Sequence, residues 1–198
     1  MTLLDRVLSA EHHDVLDRAD AFATETLAPR SQKIENSREF PRDVVEAAGE
    51  AGLLGILLPE EYGGLGGDFI SYCLALERIA EENSAVAETI QGHTFAALPV
   101  LNFGTQEQQN RLLPKLAAGE SVGAMLLTEP DAGSSPTELG TVAEVTDDGY
   151  LLSGEKSFGT NAGVADVHLV VARKRPQPDD SHGVSVFLVP NPEEVEGF

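Results

Sequence analysis

From Ser9 to Pro114 the apolar positions recur every three or four residues, and beyond Val122 they fall into short runs broken by turn residues. The first spacing predicts helices and the second predicts strands. Ser9 is placed to cap a helix whose apolar face is Val15, Leu16, Ala19, Phe22, Ala23 and Leu27. Pro41 suits a first helical turn, and Val44, Val45 and Ala48 carry that second helix to a stop at Gly52. Pro59 to Asp68 is a glycine-rich loop. A third helix is expected to bury Ile70, Cys73, Leu74 and Ile79, and a fourth carries Val86, Ile90, Ala97 and Leu101 along one stripe. The fifth opens on Thr105-Gln106-Glu107-Gln108, a capping box, and is expected to end near Pro114.

After Val122, the segments Met125–Leu127, Thr141–Val145, Tyr150–Ser153, Val167–Ala172 and Val184–Val189 suit strands. Asp147-Asp148-Gly149 suits a hairpin turn, because glycine takes the positive φ that a tight turn requires. Arg173 to Gly183 is a polar stretch, expected to be a loop between the last two strands. The fold class predicted is α+β: an all-α helical bundle over residues 1–121, then an incomplete antiparallel β-barrel over residues 122–198. The strand segment reaches Phe198 without a closing element, so an open sheet edge, and a fragment of a larger protein, are expected.

Charge narrows the functions. Thirty-three acidic residues against 13 basic ones give a formal net charge of −20, which repels phosphate backbones and argues against nucleic-acid binding. Nine of the cations are Arg and four are Lys, a balance that suits life at high salt or an ordinary acidic protein. Cys73 is the single cysteine, so neither an internal disulfide nor a cysteine zinc site can form, and the five histidines lack metal-ligand spacing. The segment Met1 to Arg6 lacks the basic-then-apolar order of a signal peptide, and the apolar runs are too short to cross a bilayer. A cytoplasmic protein without membrane insertion is the expectation.

Among candidate sites, no dinucleotide fingerprint, phosphate loop or nucleophile elbow occurs. His93 lies on the apolar stripe of the fourth helix and reads as a core histidine; Cys73 reads as a small buried hydrophobe. Arg173-Lys174-Arg175 reads as a solvated basic spot. In Met125 to Ser135 a strand ends, Pro130 fixes a turn, and the N–H groups near Ala132, Gly133 and Ser134 either cradle an oxygen or simply turn the chain. In Leu152 to Gly163, Phe158 and Thr160 stand two apart, so on a strand one ring and one hydroxyl would share a face, a floor for a flat heterocycle.

Two of these segments, Thr128-Glu129-Pro130-x-Ala132-Gly133-Ser134 and Gly154-x-Lys156-x-Phe158-x-Thr160-Asn161, resemble the flavin-contacting motifs of the acyl-CoA dehydrogenase family. Leu58-Pro59-Glu60-Glu61-Tyr62-Gly63-Gly64, Phe103-Gly104-Thr105-x-Glu107-Gln108 and Leu113-Pro114-x-Leu116-Ala117-x-Gly119-Glu120 resemble its helical half. The resemblance implies FAD as cofactor and oxidation of an acyl-CoA thioester to the trans-2-enoyl-CoA, with hydride passing to flavin N5. It implies that Met125, Leu126, Leu127, Thr128, Gly133 and Ser134 line the isoalloxazine, with Ser134 also touching acyl-CoA. Phe158, Gly159 and Thr160 would cover its other side, the Thr160 hydroxyl directed at N5 where electron density grows. Phe158 stands where many members carry Trp, Met125 where an aromatic is frequent, and Ser135 replaces a common Asp. The family's catalytic glutamate belongs to a C-terminal domain, so no residue from 1 to 198 is assigned as catalytic base. A homotetramer and electron transfer to an electron-transfer flavoprotein are further implications. The alternatives are a flavin oxidase on the same scaffold (an acyl-CoA oxidase or nitroalkane oxidase) and a non-catalytic truncated subunit.

Overall fold

A computed structural model describes residues 7–135, 138–147, 149–175 and 183–190. The chain divides between Val122 and Gly123 into two compact units.

The first unit is helical. Helix α1 (Ala10–Ala21) starts on the expected cap: the Ser9 hydroxyl accepts from the His12 amide, and the His12 ring accepts from the Ser9 amide. A π-helical turn (Phe22–Leu27) then leads into α2 (Ala28–Ser37). Pro29 explains that irregularity, since it has no N–H to give and its ring crowds the carbonyl four residues back. The turn buries Phe22, Ala23 and Leu27, so the expected apolar face survives the change of pitch. Helices α3 (Arg42–Glu50), α4 (Phe69–Glu82), α5 (Ser84–Phe103) and α6 (Gln106–Ala118) complete the unit.

Two helical expectations are corrected. Helix α6 runs through Pro114 and stops at Gly119, whose φ of 76° ends it in the left-handed region. On α4, Cys73 and Ile70 are exposed and Leu74 is half-buried, while Ser71, Tyr72, Ala75 and Ile79 face the core. The buried stripe is turned by about one residue, roughly 100° of helix. On α5 the expected stripe holds at Val86, Ile90 and Ala97, with Leu101 half-buried. Between α3 and α4 the glycine-rich loop folds on itself: the amides of Leu65, Gly66 and Gly67 donate to the carbonyls of Gly55, Leu58 and Ile56. Gly64 packs against the backbone of Leu58 and Gly55, and Gly63 and Gly66 take the left-handed conformation at φ 83° and 63°, which are structural uses.

Among the described residues the second unit is a sheet of five strands: β1 (Gly123–Leu126), β2 (Val142–Thr146), β3 (Gly149–Ser153), β4 (Val167–Arg175) and β5 (Val184–Pro190). The α+β class stands and the sheet formed by the described residues is open, but its pairing is mixed rather than wholly antiparallel. β1 and β2 both run parallel to β4, while β2–β3 and β4–β5 are antiparallel. β1 and β2 share one edge of β4 end to end, because residues 167–170 pair with β1 and 173–175 with β2, and β5 takes the other edge. A strand paired on both edges and covered on both faces should read as a continuous apolar run, and Val167–Ala172 is buried throughout. Arg173-Lys174-Arg175 belongs to that strand rather than to a loop; the Lys174 ammonium sits 5.3 Å from the centre of the Tyr150 ring. Asp148 of the expected hairpin turn and most of the polar stretch after Arg175 lie outside the described residues.

Candidate functional site

Both faces of the sheet bear on where the candidate residues sit. Leu126 packs with Val170 and Val189 on one face, while Met125 and Leu127 pack toward Ala132, Leu139 and Val171 on the other. The side chains of β1 are therefore committed to the core. What the segment after it presents outward is Gly133 and Ser134, both exposed, with Thr128 half-buried. The expected cradle of N–H groups is smaller than the sequence suggests. The Ala132 amide is spent on the Glu129 carbonyl, and the Glu129 amide on the Ala132 carbonyl at 2.8 Å.

The second candidate segment is not a strand. From Gly154 to Ala165 the chain turns repeatedly, so Phe158 and Thr160 do not share a face by strand alternation. Phe158 instead has φ 56° and is 93% exposed. A bulky residue in the left-handed region is strained, and holding an aromatic ring there in solvent needs a compensating purpose. Asn161, also left-handed at φ 67°, tolerates that conformation and anchors the turn by donating its side-chain amide to the Gly123 carbonyl. Gly159 lies against Leu126, whose terminal methyl would have to shift to admit a side chain there.

The two segments meet. The Ser157 amide donates to the Thr128 carbonyl at 2.8 Å, and Lys156 Nζ donates to the Leu127 carbonyl at 3.0 Å. Lys156 Nζ also lies 2.8 Å from the Glu129 carboxylate. Glu129 further accepts from the Gly140 amide and from the amide and hydroxyl of Thr141. Burial pushes the Glu129 carboxyl up, but the hydrogen bonds from Lys156, Thr141 and the Gly140 amide outweigh it and hold the group at about 2, so it is an anion. This anchor ties three stretches of chain: the turn after β1, the approach to β2 and the exit from β3. Glu129 and Lys156 stand inside the two sequence motifs, but two opposite charges far apart in sequence carry no signal that they pair.

His93 is fully buried on α5. Burial pushes its imidazole down to about 4, against a hydrogen bond to the Leu116 backbone, so it is neutral at pH 7 and belongs to the core, as its position on the stripe implied. Among the described residues there is no group of three or more His, Cys, Asp or Glu placed to hold a metal ion, and no helix long and apolar enough to cross a membrane.

A helical unit followed by a mixed sheet places the chain among α+β proteins, and comparison with known proteins narrows that class. Residues 9–120 match the acyl-CoA dehydrogenase N-terminal domain, and residues 124–198 match the acyl-CoA dehydrogenase middle domain. An acyl-CoA dehydrogenase of Bacillus subtilis is 40% identical over 169 residues, covering 85% of this chain and 44% of the relative. The structure of butyryl-CoA dehydrogenase from Megasphaera elsdenii superposes with a TM-score of 0.84 at 33% identity, over 93% of this chain and 49% of that one. An acyl-CoA dehydrogenase from Bacillus anthracis, complexed with FAD, gives 0.83 at 35% identity over 96% of this chain and 32% of that one. The chain belongs to the acyl-CoA dehydrogenase family. It spans less than half the length of these relatives.

FAD is the cofactor expected of this family, and the residues present fit it. The exposed Phe158 ring and the small exposed residues Gly133 and Ser134, on turns joined through Ser157 and Thr128, suit a flat heterocycle with a polar rim.

Proposed function

We propose that this chain carries the flavin-facing half of an FAD-dependent acyl-CoA dehydrogenase that converts an acyl-CoA thioester to the trans-2-enoyl-CoA. When bound, FAD supplies the two-electron acceptor. Residues 1–121 act as the helical domain and 122–198 as part of the middle domain. The observation that carries the reading is the joining of the two flavin-motif segments through Ser157 and Thr128, at 2.8 Å, beside the exposed Phe158 ring.

In this reading Met125, Leu126, Leu127, Thr128, Gly133 and Ser134 hold one side of the isoalloxazine, with Ser134 also reaching acyl-CoA. Met125 and Leu126 contribute backbone, since their side chains pack the sheet. Leu127 and Thr128 contribute amides, since their carbonyls already accept from Lys156 and Ser157. Phe158 and Gly159 cover the ring and the Thr160 hydroxyl donates to its edge. The base that removes the substrate proton is assigned to none of residues 1–198. A cytoplasmic homotetramer that passes electrons to an electron-transfer flavoprotein completes the proposal.

The test is expression of the full reading frame that encodes this chain, followed by anaerobic addition of acyl-CoA thioesters. Flavin should co-purify, and its visible band should bleach on addition of substrate. A purified protein that takes up no FAD, or whose flavin no acyl-CoA reduces, overturns the reading; fast reoxidation by oxygen after bleaching would identify an oxidase instead.

A further inference from the structure

Among the described ion pairs, Lys156–Glu129 is the one with both side chains more than nine-tenths buried, at 9% and 7% exposure. Such a pair costs desolvation on both sides, so an apolar pair of the same shape would serve stability as well or better. Its geometry says what an apolar pair could not do. The ammonium donates to the Glu129 carboxylate at 2.8 Å and to the Leu127 carbonyl at 3.0 Å, and the next residue, Ser157, donates to Thr128. Lys156 therefore bridges from the stretch that leads into Phe158 to the backbone of the turn that carries Gly133 and Ser134. Glu129 is itself held by Gly140 and Thr141, at the open base of the β2–β3 hairpin, where Val142 pairs with Ser153.

We propose that Lys156 is a positioning residue for the flavin: its ammonium, fixed by Glu129, sets the spacing between the turn after β1 and the turn that carries Phe158, without touching the cofactor. This rests on the flavin reading above. A loop-borne site gains affinity when its spacing is fixed before the ligand arrives, because the ordering cost is then not drawn from binding.

The test uses the full reading frame and compares wild type with Lys156→Met and with the charge-balanced double variant Glu129→Gln, Lys156→Met. Three quantities are read: the thermal midpoint without FAD, amide hydrogen exchange without FAD, and the dissociation constant for FAD with the shape of the visible flavin band. The double variant should recover most of the midpoint lost by Lys156→Met, since no buried carboxylate is then left uncompensated. In the double variant the Ser157 amide should exchange at least about tenfold faster while β4 amides stay within about twofold, and in both variants FAD should bind at least about tenfold more weakly with an altered band. If the double variant regains exchange and FAD affinity along with its midpoint, the pair is charge compensation alone and the proposal fails. Unchanged Ser157 exchange in Lys156→Met overturns it equally. If wild type takes up no FAD, the flavin reading falls, and exchange at Ser157 still decides whether Lys156 spaces the turns; if Lys156→Met does not fold, the double variant carries the comparison.

Discussion

Gly154 lies so close to Thr141 that a Cβ added to it would stand 2.7 Å from the Thr141 Cα. Thr141 in turn gives its amide and hydroxyl to Glu129, so the contact at the hairpin base is transmitted to the anchor of the candidate site. Gly154→Ala is expected to push Thr141 aside and to destabilise the fold by about 1–3 kcal/mol, the usual cost of overpacking. Urea unfolding measures this; a loss under about 0.5 kcal/mol would show that the hairpin base gives way freely.

Removing one partner of the buried anchor leaves the other charge uncompensated. Glu129→Ala is expected to cost about 3–5 kcal/mol, more than Glu129→Gln, which keeps one acceptor for Thr141. Equal midpoints for the two variants would contradict that order.

Among the described residues, two groups inside the fold contribute to the acid limb of stability. His93 is held at about 4, below the ordinary histidine value of about 6.5, so its contribution is complete above that higher value and is lost as pH falls toward 4. Glu129 is held at about 2, so its contribution is complete above about 4.3 and is lost as pH falls toward 2. Net charge of −20 acts in the opposite sense, because acid relieves self-repulsion. The difference between wild type and His93→Gln isolates the first group: the variant should lose the decline between pH 6.5 and 4. A difference that does not vary across that range would place His93 outside the acid response.

Phe158 carries backbone strain and no core packing. Phe158→Gly should raise the thermal stability of the FAD-free protein by about 1 kcal/mol while weakening FAD binding, a pair of opposite signs that a structural residue would not give. Scanning calorimetry and a flavin titration together check it, and loss of stability would count against the strain argument.

Asn83 caps α5 through the Val86 amide at 3.0 Å and donates to Ser31 and Glu35 on α2. It is buried, so Asn83→Ala should cost about 1–3 kcal/mol by leaving a cap and two acceptors unfilled. Recovery of full stability in Asn83→Ser, which keeps the cap alone, would assign the whole effect to capping.

What was legible in the sequence is what local rules govern. Ser9 and Thr105 stand at helix caps, Val167–Ala172 reads as a buried strand, and His93 sits on the buried stripe that the spacing predicts. The motif letters placed the chain in its family. The errors fall where neighbours outvote local preference. Pro114 looked like a stop, but the helix continues to Ala118; Cys73 looked buried, but the α4 stripe is set by what packs against it.

The sequence by itself determined the order of helices and strands and the break near Val122, because helix and strand periods and capping chemistry act over a few residues, and its motifs carry the family resemblance. Tertiary structure alone decided that β1 and β2 both lie parallel to β4, that Phe158 stands out on a left-handed turn, and that Lys156 reaches Glu129 and Leu127. Those are long-range pairings, and alternation along a strand says which face a side chain takes but not which strand lies beside it, nor which distant charge will offset the cost of burial.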